Sequence, residues 1–389
     1  MVRSSMVRIA HFADTHLGYR QYNLEEREKD IYAALDEIGD RILEERADIV
    51  IHSGDLFDSP RPTPQAYRAF KNFLMKLDGK AKVFAVLGDH DRPKSRGVAP
   101  HVLFEDEMQI LGLGGTAQHQ ELRIDGKDFL VAGLSNLSRT YRPVLLEELK
   151  RLSSLKLEGK LSVLALHQGI DKFLPHEGAF ELSLNEVPRN FDYVAMGHIH
   201  SRIKVAMGKG ELGYPGSSEI MSRTEISGWQ KCGKGFYIVD VEDSDVVVHD
   251  VNLECVRPQF AGKLSYANLD VDLKGLIKCI EDLGKLPVVH VLVEGKDVDR
   301  QDVYQTLNSA LSRVVLSFRQ EVLEESELSL PELKRGSFNV HQVIQDYFKD
   351  ESVAELASEL WRYLKVGDSD EAKKVAEDYF RKVTGNDSQ

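Results

Sequence analysis

The sequence predicts a layered α/β fold with a small α+β unit and a helical tail behind it. Three observations lead there. From residue 7 to residue 91, β-branched runs alternate with helical periodicity in the order strand–helix–strand–helix–strand, the signature of an α/β core. Each of those strands ends in a polar loop carrying Asp or His. Composition then shifts near Arg257-Pro258, and a second, shorter alternation of helix and strand follows. The domain boundaries read from this are 1–256, 257–335 and 336–389.

The stretch 48–58, DIVIHSGDLFD, is the centre of the argument. Ile49, Val50 and Ile51 suit a strand buried on both faces, and Ser53-Gly54 ends it in a tight turn. Asp55 then stands at the strand's mouth, where each carboxylate oxygen could serve one of two metal ions. Taken alone it would simply cap the next turn.

In chain order, residues 7–14 (VRIAHFAD) form a strand that leaves through Asp14-Thr15-His16. Leu24, Ile31, Leu35, Ile38, Ile42 and Leu43 mark a helix over 24–45. After the strand at 48–53, Pro64 opens a helix carrying Tyr67, Phe70, Phe73, Leu74 and Leu77. The strand 82–87 ends in Gly88-Asp89-His90-Asp91. Short strands with glycine-rich turns fill 109–133, and a helix over 144–155 leads to the strand 161–166 and His167-Gln168-Gly169. The strand 192–196 ends in Gly197-His198-Ile199-His200, residues 214–218 are a turn, and 235–241 with 246–251 form a closing pair. Beyond residue 257 the pattern predicts a helix at 273–283, a strand at 288–293, a helix at 301–311 and a strand at 314–318, then a charged link over 321–336. The tail has three narrow apolar stripes: Val340, Val343, Ile344, Tyr347 and Phe348; Val353, Leu356, Leu360, Trp361 and Leu364; and Val375, Tyr379, Phe380 and Val383. Such stripes either pack on one another or fill a partner's groove.

Bulk properties narrow the function. With 389 residues the chain exceeds one compact core. No apolar run approaches bilayer length, and the N-terminus lacks a signal-peptide pattern. The three cysteines are widely spaced and form no CxxC pair, so a cytoplasmic location is expected, nucleoid-associated in a prokaryote. A net charge of −13 argues against bulk electrostatic coating of nucleic acid, yet it is compatible with clustered carboxylates that hold metal ions against phosphate.

Five strand ends offer Asp14 with His16, Asp55, Asp89 with His90, His167, and His198 with His200. Mixed carboxylate and imidazole donors suit manganese, iron or zinc better than calcium. Two such ions can activate a water and stabilise the leaving oxygen of a phosphodiester, which requires one bridging carboxylate, assigned to Asp55. The remaining histidines, His11, His52, His101, His119, His176, His249, His290 and His341, read as structural or exposed.

The ordered series D-x-H, G-D, G-x-H-D, H-Q-G and G-H-I-H resembles the calcineurin-like metallophosphoesterase superfamily, whose core is a layered α/β sandwich. SGDLFD, LHQG, GHIH and YPGSSE more narrowly resemble the double-strand-break repair nucleases, SbcD-type in bacteria and meiotic-recombination-eleven type in archaea and eukaryotes. The resemblance implies that Asp14, His16, His200 and Asp55 bind one metal ion, and that Asp89, His167, His198 and Asp55 bind the other. It makes His90 a catalytic acid or charge stabiliser at the scissile phosphate. It further implies two Mn2+ ions (Mg2+, Fe2+ or Zn2+ being substitutes), a DNA-binding capping domain at 257–335, and a homodimer. Its activities would be 3′-to-5′ exonuclease on duplex ends and endonuclease on single strands. The tail would bind an SMC-like, SbcC-type coiled-coil ATPase, here through Tyr347, Phe348, Leu360 and Trp361. One departure stands out: the family usually reads G-N-H where this chain has Gly88-Asp89-His90. Two alternatives share the scaffold, a small-substrate phosphodiesterase or phosphatase and a catalytically weak DNA-end-binding subunit.

Overall fold

The β-branched runs at the start of the chain lie side by side. In the computed structural model, β1 (Val7–Phe12), β2 (Ile49–Ser53) and β3 (Lys82–Val86) are parallel neighbours, with Ile9 beside Ile49 and Val50 beside Val83. β4 (Gln109–Ile110) extends one edge; at the other, β11 (Gly235–Glu242) lies antiparallel to β1 and β12 (Asp245–Asn252) antiparallel to β11. The second sheet has β6 (Lys127–Leu134), β7 (Leu161–His167), β8 (Tyr193–Gly197) and β10 (Gly210–Tyr214) in parallel. Its antiparallel edges are β5 (Gln118–Ile124) and β9 (Ile203–Met207). The structure describes residues 6–93, 97–174, 179–242, 245–281, 283–324, 344–345, 347–348, 350–364 and 369–384.

The sheets meet face to face. Ile9, Ile49, Ile51, Phe84 and Val86 of the first share one buried cluster with Phe129, Val131, Val163 and Ala165 of the second. On the outer face of the first sheet, α1 (Glu25–Glu45) and α2 (Pro64–Leu77) pack Ile31, Leu35, Ile38, Phe70, Phe73 and Leu74 against Phe12 and Val50. α3 (Arg142–Ser153) covers the second sheet with Leu145, Leu149 and Leu152. The layers are therefore helix, sheet, sheet, helix, which is why β2 and β7 are buried at every position and read as unbroken apolar runs. Thr63 caps α2 by accepting the Ala66 N–H, with Pro64 at the first helical position.

A third, parallel sheet of β13 (Gln259–Ser265), β14 (Val288–Gly295) and β15 (Ser317–Glu324) carries α5 (Leu269–Ile280) and α6 (Arg300–Leu311) and has its own apolar core. It belongs to the same compact unit, Met1–Glu325, as the two larger sheets. A buried polar joint fastens it there. Asp30 of α1 accepts from Arg257 through Nε (2.6 Å) and Nη2 (2.9 Å), and from Arg27 (2.7 Å). Glu219 accepts from Arg27 (2.6 Å) and from the Arg257 backbone N–H (2.7 Å).

Several sequence expectations are corrected here. The last strand begins at Ser317 rather than 314, and it runs through residues 321–324, which were read as the start of a link. Phe318 and Val322 pack on the local core while Arg319 and Glu321 face outward, so an edge strand with one wet face looked like a charged linker. β13 was missed because Gly262 and Lys263 interrupt its apolar residues, β10 because two glycines dilute its own, and β9 because it is short and carries Lys204 in the run. α4 (Ile226–Cys232) was also not foreseen.

The second unit, Ser326–Gln389, contains α7 (Glu351–Leu364) and α8 (Ser369–Thr384), which pack together and bury Ala354, Ser358 and Ala372. Tyr347, Trp361, Leu364 and Phe380 are exposed, and Phe348 and Leu360 are half-buried. Val340, Val343, His341 and His176 lie outside the described residues. Among the described residues no helix is long and apolar enough to cross a membrane.

Candidate dimetal site

The strand ends of β1, β2, β3, β7 and β8 converge where the two sheets meet, as expected at the carboxyl edge of parallel strands. The turns that follow are strained. Asp14, His16, Asp55 and His198 all have positive φ (51°, 46°, 55° and 95°), a conformation costing roughly 1–3 kcal/mol per residue. Backbone bonds hold it: Asp14 N–H donates to Gly54 O (3.0 Å), and His16 N–H to Asp55 O (3.0 Å). The His198 N–H donates to Asp14 Oδ1 (3.0 Å). Two glycines make room. A Cβ on Gly54 would lie 2.2 Å from His167 Nδ1, and one on Gly88 would lie 1.9 Å from Asp55 Oδ1.

Asp14, His16 and His200 offer ligand atoms that all lie within 4.8 Å of one another, and so do Asp89, His167 and His198. In the first trio the Nε2 atoms of His16 and His200 face each other at 3.2 Å. In the second, Asp89 Oδ1 lies 3.3 Å from both His167 Nε2 and His198 Nδ1. Asp55 sits between the trios, its Oδ2 3.7 Å from His16 Nε2 and 3.4 Å from His167 Nε2. Its other oxygen, Oδ1, accepts the His90 N–H at 2.9 Å. Oδ2 thus lies near both trios, while Oδ1 accepts a backbone N–H and keeps a second lone pair.

The electrostatics are those of a cation site. Burial opposes charge on His16, but Asp58, Asp55 and Asp14 outweigh it and push its pKa up to about 9. Burial likewise opposes charge on His167 and is overcome by Asp55 and Asp89, which raise it well above the usual imidazole range. Against burial, His167 with His16 holds the Asp55 carboxyl well below its usual range, and His167 with His198 does the same for Asp89. Carboxylates that favour positive charge on the neighbouring imidazoles would equally favour divalent cations, and the oxygen and nitrogen donors fit manganese, iron or zinc.

His90 is also brought to the site. Its ring lies edge-on to His16, centroids 4.7 Å apart, and it forms a further close group with His16 and Asp55. Its Nδ1 donates to Asp58 O at 2.9 Å, which leaves Nε2 as the free ring nitrogen. His11, His52 and His101 are buried in the core, while His119 and His249 are exposed. Tyr347, Phe348, Leu360 and Trp361 belong to the second unit.

Sequence reading missed the groups that orient these side chains. Asp58 pairs with His16 Nδ1 at 3.6 Å. Buried Asp91 accepts N–H groups from Phe57 (2.9 Å) and Gly88 (2.9 Å), tying two ligand loops together. Ser53 O accepts His167 Nδ1–H at 2.8 Å. The repeated Asp in SGDLFD and GDHD was the available signal for the first two. Glu225, 3.1 Å from His200 Nδ1, stands in no motif.

Comparison with known proteins agrees with this geometry. The calcineurin-like phosphoesterase family signature matches residues 7–202, half of the chain. Proteins named DNA double-strand break repair protein Mre11 are similar over nearly the whole length. The one from Thermoplasma acidophilum is 33% identical over 94% of this chain and 96% of its own. The one from Saccharolobus solfataricus is 32% identical over 98% and 99%, and the one from Methanococcus maripaludis 31% over 96% and 99%. With two sheets delivering candidate metal ligands to one seam, and relatives aligned nearly from end to end, this chain belongs to the calcineurin-like phosphoesterases and, within them, to the Mre11 family of double-strand break repair proteins.

Proposed function

We propose that this protein is a two-metal DNA nuclease of double-strand break repair, hydrolysing phosphodiesters from duplex ends in the 3′-to-5′ direction and within single strands. The observation that carries this reading is the pair of three-residue donor groups flanking Asp55 Oδ2, in a chain whose Mre11 relatives match nearly its whole length. Asp14, His16 and His200 would hold one ion and Asp89, His167 and His198 the other, with Asp55 between them. When bound, the ions, manganese being our choice, polarise the phosphate and acidify the attacking water.

The residues of the chain do the rest. The five strand-end loops fix the donors before substrate arrives, so no reorganisation is needed during reaction. Asp91 keeps the Asp55 and Asp89 loops in register through its backbone bonds. His90, held by Asp58 O through Nδ1, presents Nε2 to the phosphate and donates a proton or stabilises charge there.

Residues 257–335 act as a capping domain over DNA, and the tail receives an SMC-like coiled-coil ATPase. The exposed side chains of Tyr347, Trp361, Leu364 and Phe380 support that partner, since the small residues Ala354 and Ala372 already pair the two helices. Exposed Met75 on α2, with exposed Val98 and Leu103 further along the chain, supports a homodimer. The test is purified protein with manganese on linear duplex DNA, beside a chromogenic phosphodiester and a phosphomonoester. Degradation of DNA from its 3′ ends is expected. Hydrolysis of the small esters with intact DNA would replace this reading with a small-substrate phosphoesterase.

A further inference from the structure

Behind His200 lies a buried ion pair that the proposed reaction does not use. α4 reverses the chain so that Glu225, just before it, meets Lys234, two residues after it. Both side chains are almost fully buried, Lys234 at 4% and Glu225 at 7% exposure. Every Lys234 proton has an acceptor: Glu225 Oε2 at 2.5 Å, Ser217 Oγ at 2.6 Å and His200 O at 2.8 Å. Glu225 Oε1 takes His200 Nδ1–H at 3.1 Å and Ser222 Oγ–H at 3.0 Å. One ammonium group thus grips His200 twice, directly at its carbonyl and, through Glu225, at its ring.

We propose that the Glu225–Lys234 pair is the positioning device for His200, fixing its imidazole as the Nδ1–H tautomer with the Nε2 lone pair aimed at the ion position shared with Asp14 and His16. The proposal rests on the dimetal reading above. A carboxylate behind a ligating imidazole sets tautomer and ring orientation and makes the ligating nitrogen more basic. The Lys234 ammonium keeps that carboxylate charged in a dry setting, where an unpaired anion would not stay buried. A pair serving the fold alone would have no reason to engage a histidine ring that faces another donor at 3.2 Å. The two ion positions therefore differ. His198 uses Nδ1 toward Asp89 and, among the described residues, has no carboxylate bonded to its other nitrogen. The position at His200 is the one whose imidazole is backed by a buried carboxylate–lysine pair.

Two double variants separate positioning from folding. Glu225→Ala with Lys234→Met removes the pair and the acceptor for Nδ1–H. Glu225→Gln with Lys234→Met removes the charges but keeps an amide oxygen there. Calorimetric titration with Mn2+ alone should give two ions in the parent. In the alanine variant, one ion should weaken about 10- to 100-fold while the other is unchanged, and the glutamine variant should recover part of the loss. If both variants melt as the parent does and bind both ions with parental affinity, the pair is structural and the proposal is wrong. A parent that binds fewer than two ions would instead overturn the dimetal reading, and this inference with it. Should the variants not fold, 1H–15N correlation spectra of the metal-free parent decide. The Nδ1–H tautomer at His200 supports the device, and the Nε2–H tautomer overturns it.

Discussion

Asp89 is the residue at which this chain departs from its family's usual motif, and its geometry defines the consequence. One carboxylate oxygen lies 3.3 Å from both His167 Nε2 and His198 Nδ1, so it completes a group of three candidate donors. With Asp14 and Asp55 it makes three carboxylates to offset two divalent ions, where an amide would leave two. At short range and low dielectric the extra charge should tighten metal binding and weaken polarisation of the phosphate. Asp89→Asn is therefore expected to keep or raise turnover while needing more manganese, and Asp89→Ala to lose both. Rate measured against manganese concentration separates these forms, and a lower manganese requirement in Asp89→Asn would refute the charge argument. Asp55→Ala should abolish hydrolysis and scatter both ions, because Oδ2 is the atom common to both trios. Normal manganese stoichiometry in that variant would remove Asp55 from the bridge. His90→Asn should retain both ions and lose roughly two to four decades of turnover, the range for a missing acid or charge stabiliser. A missing ion in its crystal structure would make His90 a ligand.

At the scale of the element, β1 does more than carry Asp14. Its buried His11 bridges the sheets, bonded to Tyr193 OH at 2.8 Å and Ser53 Oγ at 2.7 Å. Burial outweighs its remaining interactions and lowers its pKa to about 3. The unfolded chain therefore takes up this proton near pH 6.5, and the folded chain only near pH 3. Stability from this group is complete above pH 6.5 and declines as pH falls, by up to about 1.4 kcal/mol per pH unit. His11→Gln should flatten the denaturation midpoint against pH between those limits, whatever its effect at neutral pH, and an unchanged slope would show that His11 is not buried neutral. Elements of this kind divide what the sequence discloses from what it hides. β2 and β7 were legible because strands covered on both faces are apolar throughout. β15 was not, because its wet face alternates charges through the run. The strand-end Asp and His residues were legible because parallel strands bring such ends together. Glu225 and Lys234 were hidden because only the reversal at α4 makes them neighbours, and no spacing rule encodes that.

At the scale of the molecule, the buried polar joint between α1 and the third sheet depends on a single shared carboxylate, Asp30, for both Arg27 and Arg257. Asp30→Ala would leave Arg27 and Arg257 buried beside each other with one carboxylate, Glu219, remaining, and should cost about 3–5 kcal/mol. Urea unfolding with the third sheet's Tyr266 and Tyr304 as reporters would check this, and a loss under 1 kcal/mol would mean that water reaches the joint. Removal of residues 337–389 should spare manganese-dependent cleavage of short single strands and abolish co-purification with the ATPase. Unfolding of residues 1–255 on that truncation would make the tail part of the core. The two donor trios also bear on when a newly made chain becomes dangerous. Each trio draws from both sheets: Asp14 and His16 follow β1, but His200 follows β8; Asp89 follows β3, but His167 and His198 follow β7 and β8. Neither half of the sandwich owns a complete set of candidate donors, and the last of them to leave the ribosome belong to the second sheet. A half-made or half-unfolded chain holds separated pieces of a cutter, and the genome is exposed to its chemistry only after the two sheets have closed on each other.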